Sequence, residues 1–410
     1  MTSNTEQHSS LSDIGDEAII RALVSAIATV TLVGVGLSLT LALLALRLAE
    51  QGFSAGAIGF HSTAGGVAVM AGAAMVPTLV RRYRIRPLLV LALVTSGLCL
   101  LSFTLTQDYW AWLLIRTLFA WALSILFVTS EYWINAVAPP RQRGLVLGFY
   151  LTSLSGGFAL GPIILGFVGT QGAAPFLVAT AIFALAALPV LLRGGQPPEV
   201  EDAPAVPMLH FFTRVPAATF AGLLYGAIET ASLGLLPVYA LRAGLSPQSG
   251  AFLATLFAFG NLIFQFPIGF ASDRMNRNRL LGIIAFLSLV LAFAMGVAGT
   301  QWFLFFSVLL VLWGGIIGSL YAVGLALLGS YFKGPDLAGA NAAYIMLYSI
   351  GMLAGPPIIG LGLDLYPPGG FFYTLAVLLL LYLMLVSFSG RETAQAENLF
   401  RSQGRTRRHG

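Results

Sequence analysis

Twelve unbroken apolar stretches, each long enough to cross a bilayer, constrain this chain more than any other feature. They fall at about 20–46, 57–80, 87–106, 110–136, 144–168, 173–192, 216–241, 249–271, 279–299, 301–331, 337–363 and 370–389. An α-helix needs about 20 apolar residues to span the hydrocarbon core. No water is present there to satisfy backbone N–H and C=O groups, so only helices and closed barrels cross it. Barrel strands would alternate apolar and polar residues, and these stretches do not. Charged residues make up 9% of the chain and hydrophobic ones 58%, whereas a soluble domain carries roughly 25% charge. The expected fold is an all-α membrane protein of twelve transmembrane helices in two six-helix bundles. The expected segments are an N-terminal tail at 1–19, a bundle at 20–192, a polar linker at 193–215, a second bundle at 216–389 and a basic tail at 390–410.

The arginines set an orientation. Cytoplasmic segments of membrane proteins are enriched in Lys and Arg, and twelve crossings put both termini on one side. With both inside, 18 of the 21 Lys and Arg residues fall in cytoplasmic segments. Arg47 and Arg242 lie outside, and Arg116 lies within the fourth stretch. The net charge of +5 therefore reflects topology, and nucleic acid is not an expected partner. Residues 1–17 are polar and include Glu6, Asp13, Asp16 and Glu17, which does not fit a signal peptide. Cys99, the single cysteine, permits no internal disulfide and no cysteine metal site.

The two halves repeat. Gly157-Phe-Ala-Leu-Gly161-Pro162-Ile-Ile-Leu-Gly166 matches Gly351-Met-Leu-Ala-Gly355-Pro356-Pro-Ile-Ile-Gly360 at an offset of 194 residues, with five of ten positions identical. Gly52-Phe-Ser54 matches Gly244-Leu-Ser246 after the first and seventh stretches. Six crossings per half is how many secondary transporters are built, with the substrate site near mid-membrane between the repeats. The glycines let helices approach closely and the prolines bend them. Gly157, Gly161, Pro162, Gly351, Gly355 and Pro356 are accordingly read as helix-packing positions.

Between the eighth and ninth stretches lies Gly269-Phe-Ala-Ser-Asp273-Arg274-Met-Asn-Arg277-Asn-Arg279. This segment resembles the cytoplasmic loop motif of the major facilitator superfamily, and the likeness extends over roughly residues 20–390. Arg116, Glu131, Arg143-Gly144, Leu236-Pro237-Val-Tyr239 and Gln265-Phe-Pro267-Ile-Gly269 resemble its YcaD-like branch of bacterial inner-membrane transporters. The resemblance implies a secondary transporter in the plasma membrane, with no substrate to carry over. It also implies a coupling role for the fourth-stretch arginine, as in proton-driven members. The Gly157–Pro162 segment resembles a motif associated with antiporters, although its recurrence in the eleventh stretch weakens that marker. The loop after the second stretch departs from the pattern. It reads Pro77-Thr-Leu-Val-Arg81-Arg82-Tyr-Arg84-Ile-Arg86, keeping the arginines without the Gly and Asp.

Glu229 lies midway along the seventh stretch, among Ala, Ile, Thr and Ala. A charge at the centre of a membrane helix costs about 2.5–3.5 kcal/mol on insertion scales and marks an ion or proton path by default. The bland alternative is a carboxyl hydrogen-bonded to a neighbouring helix. Arg116 follows Trp110 and Trp112, read as an interfacial pair, and either snorkels outward or faces a cavity to meet an anion. Glu131 is ~22 Å further along the same helix, placed to bridge to Arg81 or Arg82. Asp273 and Arg274, with Gly269 and Arg277, form a candidate cytoplasmic gate in which the carboxylate accepts from the N-terminus of the fifth helix. Asn261, Gln265, Tyr321, Asn341, Tyr344 and Tyr348 are polar or aromatic groups at membrane depth and are the candidate cavity lining. His61 alone near a membrane surface reads as passive.

Gly52-Phe-Ser54-Ala-Gly56 matches the G-x-S-x-G hydrolase elbow, but a turn that caps the next helix explains it and its repeat. There is no H-E-x-x-H, P-loop or dinucleotide fingerprint. No enzyme activity, cofactor or metal is expected, and transport would run on gradients. The leading expectation is a monomeric, proton-coupled transporter of a small organic solute, working by alternating access. Its partners are solute, protons and lipid bilayer. The alternative is a non-transporting scaffold or sensor on the same fold.

Overall fold

The structure is a computed structural model, and it describes backbone residues 3–83, 85–137, 143–193, 214–332 and 334–406. Among these residues there are twelve helices. They are α1 (Ser3–Glu50), α2 (Ala55–Tyr83), α3 (Ile85–Ser102), α4 (Tyr109–Val137), α5 (Arg143–Val168), α6 (Ala174–Arg193), α7 (Pro216–Arg242), α8 (Pro247–Arg274), α9 (Arg277–Ala298), α10 (Phe303–Tyr331), α11 (Gly334–Leu365) and α12 (Gly370–Thr406). Ten of them are long and apolar enough to cross a membrane by length and composition. The other two are α2, in which 12 of 29 residues are Gly or Ala, and α5, whose apolar part is the shorter Thr152–Val168. The chain is a multi-pass, all-α membrane protein. Helix continues past the apolar stretches at both ends, from Ser3 and to Thr406. Most of the expected linker, residues 194–213, lies outside the described residues.

The chain forms two compact units. The first comprises residues 3–53, 61–193 and 246–258, and the second residues 54–60, 214–245 and 259–406. The repeat is visible in what each exchanges: the first turn of α2 clusters with the second unit, and the start of α8 with the first.

Within the first unit α5 lies against α1. A Cβ at Gly157 would come within 2.5 Å of Thr31 O, and one at Gly161 within 2.5 Å of Leu39 N and Val35 O. In the second unit α11 lies against α7 in the same way. A Cβ at Gly351 would overlap Leu223 O, and one at Gly355 the backbone of Ala227. Apolar side chains gain little by leaving lipid for protein, so association rests on van der Waals contact and interhelical hydrogen bonds. Backbone-close glycines maximise the first.

Short turns end the helices. Gly52 and Gly244 both have positive φ (88° and 79°), a conformation open to glycine at no steric cost. Two residues on, Ser54 Oγ accepts from Ala57 N (3.1 Å) and Ser246 Oγ from Ser249 N (3.2 Å). These are N-terminal caps, and they account for the hydrolase-like spacing.

Candidate functional site

Glu229 and a set of tyrosines form a polar cluster inside the second unit. Tyr225 sits one turn before Glu229 on α7, so their side chains share a helix face. Tyr225 Oη donates to Glu229 Oε1 at 2.8 Å, and Tyr348 Oη, from α11, donates to Oε2 at 2.6 Å. Asn261 on α8 donates through Nδ2 to Tyr225 Oη at 2.8 Å, leaving its Oδ1 buried with no partner among the described residues. Tyr321 on α10 closes the set, its ring centroid 5.7 Å from that of Tyr225, 5.4 Å from Tyr348 and 5.1 Å from Tyr344. Tyr344 Oη donates to the Tyr321 carbonyl at 2.8 Å.

Four helices thus bring Glu229, Asn261, Tyr321, Tyr344 and Tyr348 together. Tyr225 and Tyr344 are buried, whereas Glu229, Asn261, Tyr321 and Tyr348 are half-buried. Gln265 and Asn341 are half-buried on α8 and α11, about a turn from Asn261 and Tyr344. Among the described residues of this unit no cation pairs with Glu229; both carboxylate oxygens are held by neutral hydroxyls. Such a carboxyl is free to exchange its charge state without breaking an ion pair. Tyr225 is the member that sequence reading missed, although its spacing of four from Glu229 was a signal for it.

Arg116 occupies the first unit. It is 5% exposed, and both its hydrogen bonds reach α2: Nη1 to His61 Nδ1 at 3.3 Å and Nη2 to Ser62 Oγ at 3.2 Å. His61 is fully buried with its ring edge-on to Tyr109 at 5.4 Å. It is a partner of Arg116 and not a lone interfacial group, a juxtaposition of α2 and α4 that no local pattern discloses. Trp112 also departs from expectation. Trp110 is 64% exposed, but Trp112 is buried and donates through Nε1 to Thr106 O at 2.7 Å.

The described gate residues make contacts of their own. The Asp273 side chain is 80% exposed, and its carboxylate is 3.8 Å from Nη2 of Arg277, four residues on. Arg277 Nη1 donates to Ala326 O at 3.2 Å. The Arg274 guanidinium lies 3.2 Å from the Phe270 ring centroid, and Gly269 is exposed. Glu131 accepts from Tyr150 Oη at 2.8 Å. Arg82 lies over the Tyr83 ring, and the Arg81 side chain is outside the described residues.

A further carboxylate, not singled out in the sequence, ties helix ends in the second unit. Asp364, in the last turn of α11, accepts from the backbone of Ala55 (2.9 Å) and Gly56 (2.7 Å) at the start of α2. Arg242, ending α7, pairs with it at 2.6 Å and donates to Leu363 O at 3.2 Å. An acid in a last helical turn opposes its own helix dipole, whereas the N-terminus of another helix favours it. That mismatch was the sequence signal.

Comparison with known proteins agrees with this architecture. A 26% identical relative, an uncharacterised MFS-type transporter YfkF of Bacillus subtilis (strain 168), aligns over 359 residues, 85% of this chain and 90% of that protein. An uncharacterised MFS-type transporter of Yersinia pestis (strain Pestoides F) is 29% identical over 308 residues, 73% of this chain and 76% of that protein. Among solved structures, a bacterial homologue of the human lysosomal transporter Spinster gives a TM-score of 0.72 at 14% identity, covering 90% of this chain and 96% of that one. A D-xylose–proton symporter gives 0.66 at 15% identity, covering 89% and 96%. At such identities the likeness is one of fold. The family model of the Major Facilitator Superfamily matches residues 26–254 and 218–408, and with twelve helices in two repeated sets this chain belongs to that superfamily of transporters.

Proposed function

We propose that this secondary transporter moves a small organic solute in exchange or symport with protons, with Glu229 as the proton-carrying group and Arg116 as a second coupling residue. One observation carries the reading: a half-buried carboxyl at mid-helix in α7, bound by two tyrosine hydroxyls and by no cation of its unit among the described residues. An intramembrane carboxyl that is charged in one step and neutral in the next needs partners that serve both states. Hydroxyls do so, since they donate to the carboxylate and accept from the acid. The likeness in fold to a D-xylose–proton symporter supports a proton-coupled reading.

Asn261, Gln265, Tyr321, Asn341, Tyr344 and Tyr348 are the proposed cavity lining. Alternating access is the proposed cycle, with Gly269, Asp273, Arg274, Arg277, Glu131, Arg81 and Arg82 as the cytoplasmic gate. The cation distribution supports placing both termini in the cytoplasm of a bacterial inner membrane. A monomer is the proposed working unit.

The test is transport in proteoliposomes containing a pH-sensitive dye, with solutes chosen by a thermal-stabilisation screen on the purified protein. Solute addition is expected to move protons through the wild type, and Glu229→Gln to abolish gradient-driven accumulation while keeping solute counterflow. Unchanged proton movement in Glu229→Gln removes Glu229 from the mechanism. Absence of any solute flux, with a stable protein partner, favours the scaffold reading.

A further inference from the structure

A groove of about 500 Å³ runs along α3 and α6, which pack together in the first unit. Its walls are Pro87, Val90, Leu91 and Val94 of α3 with Val190 and Leu191 of α6. Arg86, in the first turn of α3, stands at one end and is its one charged lining residue. From Arg86 to Val94 the groove follows α3 for ~12 Å at helical rise. Leu91, Val94 and Leu191 are each more than half exposed. In a chain that crosses a bilayer, exposed apolar side chains within the spans face hydrocarbon, so a lipid acyl chain is the filling this groove suits.

Arg86 adds a charge requirement. It is half-buried, its Nε is buried with no hydrogen-bond partner among the described residues, and no described acid pairs with it. A guanidinium only donates, and phosphate is an acceptor it can bind through two parallel bonds. The surroundings are positive as well. The sequence holds no acid between Glu50 and Asp108 and none between Glu131 and Glu199, so α2, α3, α5 and α6 carry no carboxylate. Glu131, toward the same end of α4, accepts from Tyr150. Arg82 and Arg84 precede Arg86 in sequence, and Arg193 ends α6 two residues beyond Leu191. The first turn of α3 contains no acid, and its N-terminal dipole favours an anion.

We propose that the α3–α6 groove binds an anionic phospholipid from the leaflet on the side of the termini. Arg86 holds its phosphate, and an acyl chain lies along Val90, Leu91, Val94 and Leu191. Basic pockets between helices at the cytoplasmic surface recognise anionic headgroups in this way. A zwitterionic lipid also carries a phosphate, but its ammonium would enter a region whose helices offer no carboxylate. The inference is independent of the transported solute and of Glu229.

The experiment titrates full-length protein in detergent micelles with phosphatidylglycerol, phosphatidylcholine or inorganic phosphate at constant ionic strength while melting is followed. Phosphatidylglycerol is expected to raise Tm saturably, phosphatidylcholine to act more weakly, and inorganic phosphate, which has no chain for the groove, to have no effect. Arg86→Gln is expected to weaken the apparent affinity for phosphatidylglycerol about fivefold, the contribution of one cation near a headgroup. Val94→Trp fills the groove, leaves Arg86 in place and is expected to weaken binding as well, so it decides the matter if Arg86→Gln does not fold. Arg279→Gln removes the same charge from an exposed position at the start of α9 and is expected to leave the response unchanged. Equal responses to the two lipids, an unchanged response in Arg86→Gln or Val94→Trp, or an equal loss in Arg279→Gln overturns the proposal. So does a response that appears only when Glu199, Glu201 and Asp202 are replaced by Gln, Gln and Asn, which makes the linker acids the partners of Arg86.

Discussion

At the residue scale, Glu229 was legible because composition isolates it: a lone carboxyl among apolar residues at mid-helix. Its partners were legible unevenly. Tyr344 and Tyr348 stood out as polar aromatics at membrane depth, but nothing local says that Tyr348 reaches Glu229 across two helices. Both hydroxyls serve one carboxylate, and Asn261 joins through Tyr225. Tyr225→Phe and Tyr348→Phe each remove one donor from a half-buried acceptor, and each is expected to lower stability by about 1–3 kcal/mol. Because they share a carboxylate, their effects are expected to be non-additive by about 0.5–3 kcal/mol. A double-mutant cycle on reversible unfolding or thermal inactivation measures this, and additivity within ~0.5 kcal/mol would show two independent bonds and no cluster.

At the scale of the helix, the repeated Gly-Pro segment is one motif with two local outcomes. Gly161 and Gly355 face backbone closely, but Gly166 has open space around it while its counterpart Gly360 would place a Cβ against Ala55 O. Small-residue spacing shows that a face suits close packing without telling which glycine meets a neighbour, since that depends on the end of the bundle at which the helices converge. Gly161→Ala is therefore expected to destabilise by about 1–3 kcal/mol through overpacking, and Gly166→Ala to be neutral or slightly stabilising, since Ala is the better helix former. Melting of the two purified variants separates them; equal losses would mean that helix propensity and membrane insertion decide, and packing does not. Asp364→Asn belongs at the same scale. It keeps an acceptor oxygen for only one of Ala55 and Gly56, turns an amide NH2 toward the other, and removes the ion pair with Arg242, whose side chain is about a quarter exposed. The expected loss is about 1 kcal/mol, larger for Asp364→Ala, which leaves two N–H groups and a cation unmatched.

For the whole molecule, hydrophobic length gave the number of helices and the internal match gave their pairing into sets, because a bilayer leaves the backbone few alternatives. What stayed hidden was where residues far apart in sequence meet: His61 with Arg116, and Asp364 with the start of α2. The same holds for the exchange of residues 54–60 and 246–258 between the compact units. The orientation rests on the cation count alone, and it makes a direct prediction. In a Cys99→Ala background, Gln107→Cys before α4 and Gln301→Cys before α10 sit on the side opposite the termini. Met275→Cys, between α8 and α9, sits on the side of the termini, and all three positions are exposed. Added to intact cells, a membrane-impermeant maleimide is expected to label the first two and to reach Met275→Cys only after permeabilisation. The reverse pattern would invert the protein in its membrane and move the exposed Asp273–Arg277 pair to the outer face, where it could not serve as a cytoplasmic gate.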